Sequence, residues 1–318
     1  MPAHVHWNPW HGCHKCSAGC ENCYMYALDK FRGLPEDVSC TVKRTQKFDY
    51  PLKRDKQKNY KIQPGERIMV NMTSDTFLPE ADPWRAEMWE IIKTRSDVIF
   101  WLLTKRPERI LSHLPKDWGD GYENVALNVT CENQEMFDLR VPVMLDIPAK
   151  HKGICLAPLL GPIDLSEALL SHAFDEIEVG GENYDNPRPC HLSWIRSMSE
   201  QCRIAGVNFC FYESGTRFVT SDGEHFIPRK ADQSAVAYFS GLSHKFYDIA
   251  YKLVDADGNE LLPQNRYQKR YNLNHCTFCA NRMVCNGCCS CGDCCGPVEL
   301  GTLEELHARE DAILAGIN

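Results

Sequence analysis

The 318-residue chain is 43% hydrophobic and 25% charged, with 35 Lys and Arg against 43 Asp and Glu and a formal net charge of −8. A chain of this kind buries a sizeable core, and its acidic balance argues against a protein whose main work is coating nucleic acid, while leaving room for a local basic groove. No run of about eighteen apolar residues marks a membrane span, and the opening MPAHVHWNPW lacks the charged and apolar regions of a signal peptide, so a cytoplasmic protein is expected.

In chain order, a short strand at His4–Trp7 leads into a loop holding Cys13, Cys16, Cys20 and Cys23, spaced C-x2-C-x3-C-x2-C. A short helix from Tyr24 to Phe31 then ends near Gly33-Leu34-Pro35. Residues 40–64 are basic, with Lys43, Arg44, Lys47, Lys53, Arg54, Lys56, Lys58 and Lys61 among Phe48, Tyr50 and Tyr60. The stretch reads either as a solvated connection or as an aromatic-dotted surface for a phosphate-bearing substrate. A rhythm then sets in. Arg67–Met72, Val98–Leu103, Val125–Val129, Gly153–Leu156, Glu176–Val179 and Val207–Tyr212 are apolar strand candidates. Helices are expected at Pro83–Thr94, where Trp84, Met88, Ile91 and Ile92 fall at helical spacing, after Pro107, and at Leu192–Ala205.

Apolar strands that mostly stop on polar clusters and lead into helical sequence indicate parallel βα units. Seven of them suit an α/β fold with a full or partial (β/α) barrel, whose active face lies at the C-terminal strand ends; an open α/β sheet is the alternative. Those ends carry Ser74, Asp75, Thr104, Lys105, Arg106, Thr130, Glu132, Asn133, Glu182 and Glu213. Further on, Phe218–Ile227 reads as a hairpin turning at Asp222-Gly223, and Leu253–Leu262 as another. The expected organisation is a barrel over 1–230, a connecting segment over 231–270, a cysteine-rich module over 271–298, and a terminal acidic helix over 299–318 capped at Thr302.

Cysteine distribution carries most of the chemistry. Of 18 cysteines, four fall at 13–23 and eight at 276–295. Clustered thiols in a reducing compartment point to metal or iron–sulfur ligation, whereas scattered ones such as Cys155, Cys202 and Cys210 read as small buried hydrophobes. In the first cluster, Cys16, Cys20 and Cys23 have the C-x3-C-x2-C spacing that leaves one iron of a [4Fe–4S] cube open for S-adenosylmethionine (SAM) to chelate; a closed structural zinc site would use all four. Electron transfer into the SAM sulfonium gives a 5′-deoxyadenosyl radical. His11 and His14 flank the thiols and either tune the cluster or face solvent. The second cluster, Cys276, Cys279, Cys285, Cys288, Cys289, Cys291, Cys294 and Cys295, has little apolar sequence to fold around without metal. Zinc or an auxiliary iron–sulfur cluster is expected there.

The stretch WNPWHGCHKCSAGCENCYMYA resembles the signature WNPxxGCxxxSxGCxxCYA of a three-cysteine-motif, radical-SAM-like family of phage and bacterial proteins, itself distantly similar to spore photoproduct lyase. The resemblance continues through Ser74-Asp75-Thr76-Phe77, Leu103–Arg109, Thr130–Gln134, Pro158-Leu159-Leu160 and Val179–Glu182, over residues 7–230. It implies ligation by Cys13, Cys20 and Cys23, so Cys13 and Cys16 compete for the third position. The chain departs from the family where Gly-Gly-Glu-Ser becomes Gly180-Gly181-Glu182-Asn183 and where Phe-Lys-Gln becomes Phe211-Tyr212-Glu213.

On this basis Lys105, Glu132 and Glu213 are candidate catalytic groups, and Ser74, Asp75, Gly180, Gly181 and Glu182 candidate cofactor-binding residues. Gly180-Gly181 would admit a ligand close to the backbone, or simply form a tight turn. Glu182 would accept from the SAM ammonium. Lys105 and Arg106 would hold a carboxylate or phosphate, or decorate a solvated loop. Asp75 and Glu132 would orient ribose or substrate, or cap the next helix. The expected function is a radical SAM-type enzyme on an unassigned substrate, with a nucleotide or nucleic-acid component implied by analogy and a partner protein often encoded beside members of the resembled family. The alternative is a non-enzymatic zinc protein whose two cysteine clusters bind protein or nucleic acid.

Overall fold

The computed structural model describes residues 5–184 and 186–266. Cys276 to Cys295 and the expected terminal helix lie outside the described residues.

The chain runs β1 (Val5–Trp7), β2 (Trp10–His11), α1 (Tyr24–Phe31), α2 (Glu36–Cys40), β3 (Lys43–Arg44), β4 (Arg67–Val70), α3 (Asp82–Thr94), β5 (Ile99–Thr104) and β6 (Val125–Thr130). It continues with α4 (Gln134–Asp146), β7 (His151–Leu156), α5 (Ser166–Leu170), β8 (Glu176–Gly180), β9 (Cys190–His191), α6 (Leu192–Ala205), β10 (Asn208–Glu213), β11 (Arg217–Thr220), β12 (Gly223–Phe226) and α7 (Lys230–Phe239). The seven expected strands form one parallel sheet in the order β1-β4-β5-β6-β7-β8-β10. Nearly every neighbour is the next main strand in sequence, as repeated βα units dictate. The sheet curls, and its end strands β1 and β10 do not pair with each other, so it forms a half-barrel and not a closed one.

Strand alternation divides the side chains between two faces. Ile68, Phe100, Leu127, Ile154, Ile177 and Phe209 pack with Met88, Ile92, Phe137, Met144, Ile195 and Met198 of the helices into the main core. Each such side chain contributes about 1.5–3 kcal/mol on burial. The other face carries a smaller cluster of Trp101, Ala126 and Cys155, with Met69 and Leu103 against it. The single cysteines Cys155, Cys202 and Cys210 are buried, as expected of small hydrophobes.

Local chemistry sets the element ends. Asn133 Oδ1 accepts from the Met136 nitrogen at 3.0 Å and caps α4. Gly206, at φ 69°, ends α6 in the left-handed region, with the Val207 nitrogen returning to the Cys202 carbonyl at 3.0 Å. The helix expected after Pro107 is instead two single turns of 3-10 helix, Pro107–Arg109 and Leu111–His113. There Arg109 donates to the Phe77 carbonyl and to Asp82, which ties the segment down before an α-helix can propagate. The first hairpin forms, but its two turn residues are Ser221 and Asp222, and Gly223 already pairs with Thr220. The second is reduced to a single bridge between Val254 and Glu260.

Residues 231–266 pack on the half-barrel. α7 buries Ala235, Val236 and Ala237, and His244 pairs with Phe209 along the outer edge of β10. No helix among the described residues is long and apolar enough to cross a membrane.

Candidate functional site

The tryptophans ahead of the cysteines anchor the loop root. Trp7 is buried against Phe100 and donates its indole N–H to the Phe48 carbonyl at 2.9 Å; Trp10, fully buried, donates to the Asp75 carbonyl at 3.1 Å. Asn8 Oδ1 accepts from the Thr73 nitrogen, and Ser74 Oγ donates to the Gly12 carbonyl at 2.5 Å. Gly12 takes φ 96°, and a Cβ there would lie 2.6 Å from the Thr41 carbonyl oxygen, so this position needs glycine. Both histidines are held by carboxylates, His11 by Asp29 at 2.8 Å and His14 by Glu80 at 2.9 Å.

Beyond this root the loop crosses the C-terminal end of the sheet, and three carboxylate–arginine pairs hold it there. After β4, Asp75 accepts from Thr104 Oγ1, the Phe77 nitrogen, the Lys105 nitrogen and Arg106 Nη1, and Arg106 Nη2 reaches the His14 carbonyl at 2.8 Å. After β6, Glu132 is fully buried. Its Oε1 accepts from the Gly19 nitrogen and its Oε2 from Arg140 Nη1, both at 2.9 Å. After β8, Glu182 accepts from Asn22 Nδ2 at 3.0 Å and from Arg188, whose Nη2 also donates to the Ala18 carbonyl at 2.9 Å. Burial opposes ionisation of Glu132 and Glu182. Donors from Ser17 and Gly19 with Arg140, and from Arg188 and Asn22, outweigh that penalty and hold both carboxyls below their ordinary range.

These contacts give the expected site residues specific tasks. Ser74, Asp75, Glu132 and Glu182 come together around the loop, but the carboxylate oxygens are engaged by protein donors and Ser74 Oγ donates to the Gly12 carbonyl. Gly180 and Gly181 admit protein rather than leaving open space: a Cβ would meet the Tyr212 ring in one case and the Ser214 carbonyl oxygen, 2.2 Å away, in the other. Glu213 accepts from Asn183 Nδ2 at 2.9 Å and from Lys230 of α7, so an ammonium does reach the end of β10, although not from the strand itself.

Among the thiols, Cys16 and Cys20 lie 3.9 Å apart, and Cys13 lies within electrostatic reach of Cys20 and Cys23. Burial raises Cys23 and pushes Cys13 up to about 12. Cys16 and Cys20 share a hydrogen bond, and that contact together with Lys105 lowers the Cys20 thiol against the effect of its burial. Lys105 is half-buried. Burial works against its charge, but Cys20, Cys23, Glu132 and Asp75 outweigh it and raise its pKa. No hydrogen bond or ion pair of that ammonium lies among the described residues. Thr130 Oγ1, at the end of β6, is likewise buried without a hydrogen-bond partner. No group of three or more His, Cys, Asp or Glu side chains among the described residues is gathered as a metal site.

A family profile described as "Protein of unknown function (DUF5131)" matches residues 3–262. The chain belongs to this family. The DUF5131 match takes in the whole half-barrel, the cysteine loop and α7, and stops short of the second cysteine cluster. No curated protein and no solved structure matches the chain.

Sequence reasoning found Asp75, Glu132, Glu182, Lys105 and Arg106. It missed Asn22, Arg140 and Arg188, which complete the strap. Arg140 lies inside α4, where a charge reads as part of a solvated helix face, and Arg188 in an irregular proline-flanked stretch; only a tally of buried carboxylates lacking nearby cations could have raised them.

Proposed function

We propose that this DUF5131 protein is a radical SAM-type iron–sulfur enzyme with Cys13, Cys20 and Cys23 as cluster ligands. The observation that carries the reading is a cysteine loop strapped by three buried carboxylates across the C-terminal end of a parallel half-barrel, where α/β barrels hold their chemistry. The chemistry of the donors supports this reading, with four cysteines on one loop and Cys16 and Cys20 3.9 Å apart. Thiolates gathered together need neutralising charge, and Lys105 and Arg106 act on them from the end of β5, with Arg140 also acting on Cys16. Cys13, within electrostatic reach of Cys20 and Cys23, completes the triad implied by the resemblance to the WNPxxGCxxxSxGCxxCYA signature, and Cys16 lies 3.9 Å from the Cys20 sulfur.

A bound [4Fe–4S] cluster would supply an open iron for SAM and the electron that cleaves it. The protein's own part is to fix and tune. Asp75, Glu132 and Glu182 hold the loop backbone, Lys105 offsets thiolate charge, and Thr130 Oγ1 offers an unspent hydrogen-bonding group at the strand ends. The expected second metal site at the C-terminal cysteines belongs to the same proposal.

Anaerobic purification tests this reading. Brown protein with broad absorbance near ~400 nm, iron and sulfide bound, and formation of 5′-deoxyadenosine or methionine from SAM under dithionite are expected. Colourless protein carrying only zinc overturns it in favour of a structural zinc protein.

A further inference from the structure

Beside β1, the end strand of the sheet, lies a cleft of about 610 Å³ whose wall includes His6, His11, Arg32, Lys47 and Tyr50. We propose that it binds a nucleotide-sized phosphate ester. The volume falls within the range of small-molecule sites. Among the described residues no carboxylate lines the cleft. Asp29, bonded to two of the lining residues, is fully buried, and its oxygens are taken by His11 and Ser39, each at 2.8 Å, and by Arg32 Nη1 at 3.4 Å. The Arg32 side chain is 60% exposed, so most of its planar donor fork faces outward.

The basic stretch over 40–64 sorts itself on the same ground. Arg44 pairs with Glu87, Lys53 with Asp49, and Arg54 lies over the Tyr60 ring while donating to the Lys58 carbonyl. Lys47 is exposed, lines the cleft, and has no ion pair among the described residues. An arginine fork and a lysine point charge in one cavity suit a phosphate dianion. The Tyr50 ring gives a planar group beside that phosphate a surface to stack on. A cavity of this size takes one nucleotide rather than a duplex.

The inference goes beyond the iron–sulfur reading and does not depend on it, because binding is measured without SAM or reductant. Isothermal titration of the full chain with AMP, inorganic phosphate, adenosine and a short single-stranded oligonucleotide is the test. AMP is expected to bind more tightly than phosphate, and adenosine not to bind. Lys47→Glu and Arg32→Gln, both at exposed side chains, are each expected to weaken AMP at least about tenfold. Lys93→Glu, at an exposed position on α3, is expected to leave binding unchanged. Absence of binding by AMP and phosphate, equal loss in Lys93→Glu, or binding of the oligonucleotide alone overturns the proposal.

Discussion

The backbone nitrogen of Gly19 donates to Oε1 of Glu132 at 2.9 Å, joining residues 113 positions apart in a fully buried contact. A Cβ on Gly19 would sit 2.9 Å from Glu132 Cδ, so the lock requires both this glycine and this carboxylate. Glu132→Gln keeps the shape but leaves Arg140 without its counter-ion. A loss of about 3 kcal/mol is expected in chemical denaturation, together with reduced iron per chain after anaerobic reconstitution. Gly19→Ala should lower iron content with a smaller change in global stability, since it displaces the loop and leaves the Glu132–Arg140 pair in place.

Arg188 joins Glu182 to the loop at Ala18 and at Glu21, and is less buried than Arg140. Arg188→Ala should cost about 1.5–3 kcal/mol, the range for hydrogen bonds to charged groups, and expose the loop to protease. Arg188→Lys keeps the charge and loses the fork, so intermediate protection is expected. Limited proteolysis with mass mapping at residues 13–23 reads this directly.

Acid should release the strap late. Glu132 and Glu182 titrate below their unfolded values, so their contribution to stability is complete above the ordinary carboxylate range of about 4.3 and fades as pH falls through their folded values. The protection of the Gly19 amide, taken as its intrinsic exchange rate over the observed rate at each pH, should therefore hold at pH 5 and fall only below about pH 4. A fall in that protection between pH 5 and 7 would contradict the assignment.

At the opposite end of the strands, Glu176 shows the reverse behaviour. Burial first, and then the neighbouring Glu178, push its carboxyl up to about 7, despite Arg67 beside both. The folded state thus binds a proton that the unfolded state releases near pH 4.3, and stability declines as pH rises from there through 7. Glu176→Gln removes that decline. A gain on the order of 1 kcal/mol at pH 8 and little change at pH 5 are expected from denaturant titrations at the two pH values.

Lys105→Met tests the cation facing the thiols. Folding should survive at a half-buried position where a straight apolar chain fits, while iron retention under a chelator challenge falls several-fold. Lys105→Arg restores the charge and should recover much of that retention.

The half-barrel was largely legible because buried parallel strands such as Ile99–Thr104 and Val125–Thr130 are apolar on both faces and stop on polar residues. Asp75 and Glu132 stood out by their places at strand ends. Their tasks did not, because a carboxylate aimed at a ligand and one aimed at a backbone nitrogen have the same sequence. Tertiary geometry alone made that distinction, as it did for Arg140, where a charge inside α4 turns inward to Glu132 and the Thr130 carbonyl. The turns after Pro107 were misjudged because Arg109 satisfies distant carbonyl and carboxylate groups instead of continuing a helix.

The strap also has a mechanical meaning. Its anchors follow β4, β6 and β8, four strand spacings from end to end, or about 19 Å along the sheet. An arch without its closing strands tends to spread, and a tie across its crown fixes the span. The loop is that tie, held at His14, Gly19 and Asn22 to groups at successive strand ends.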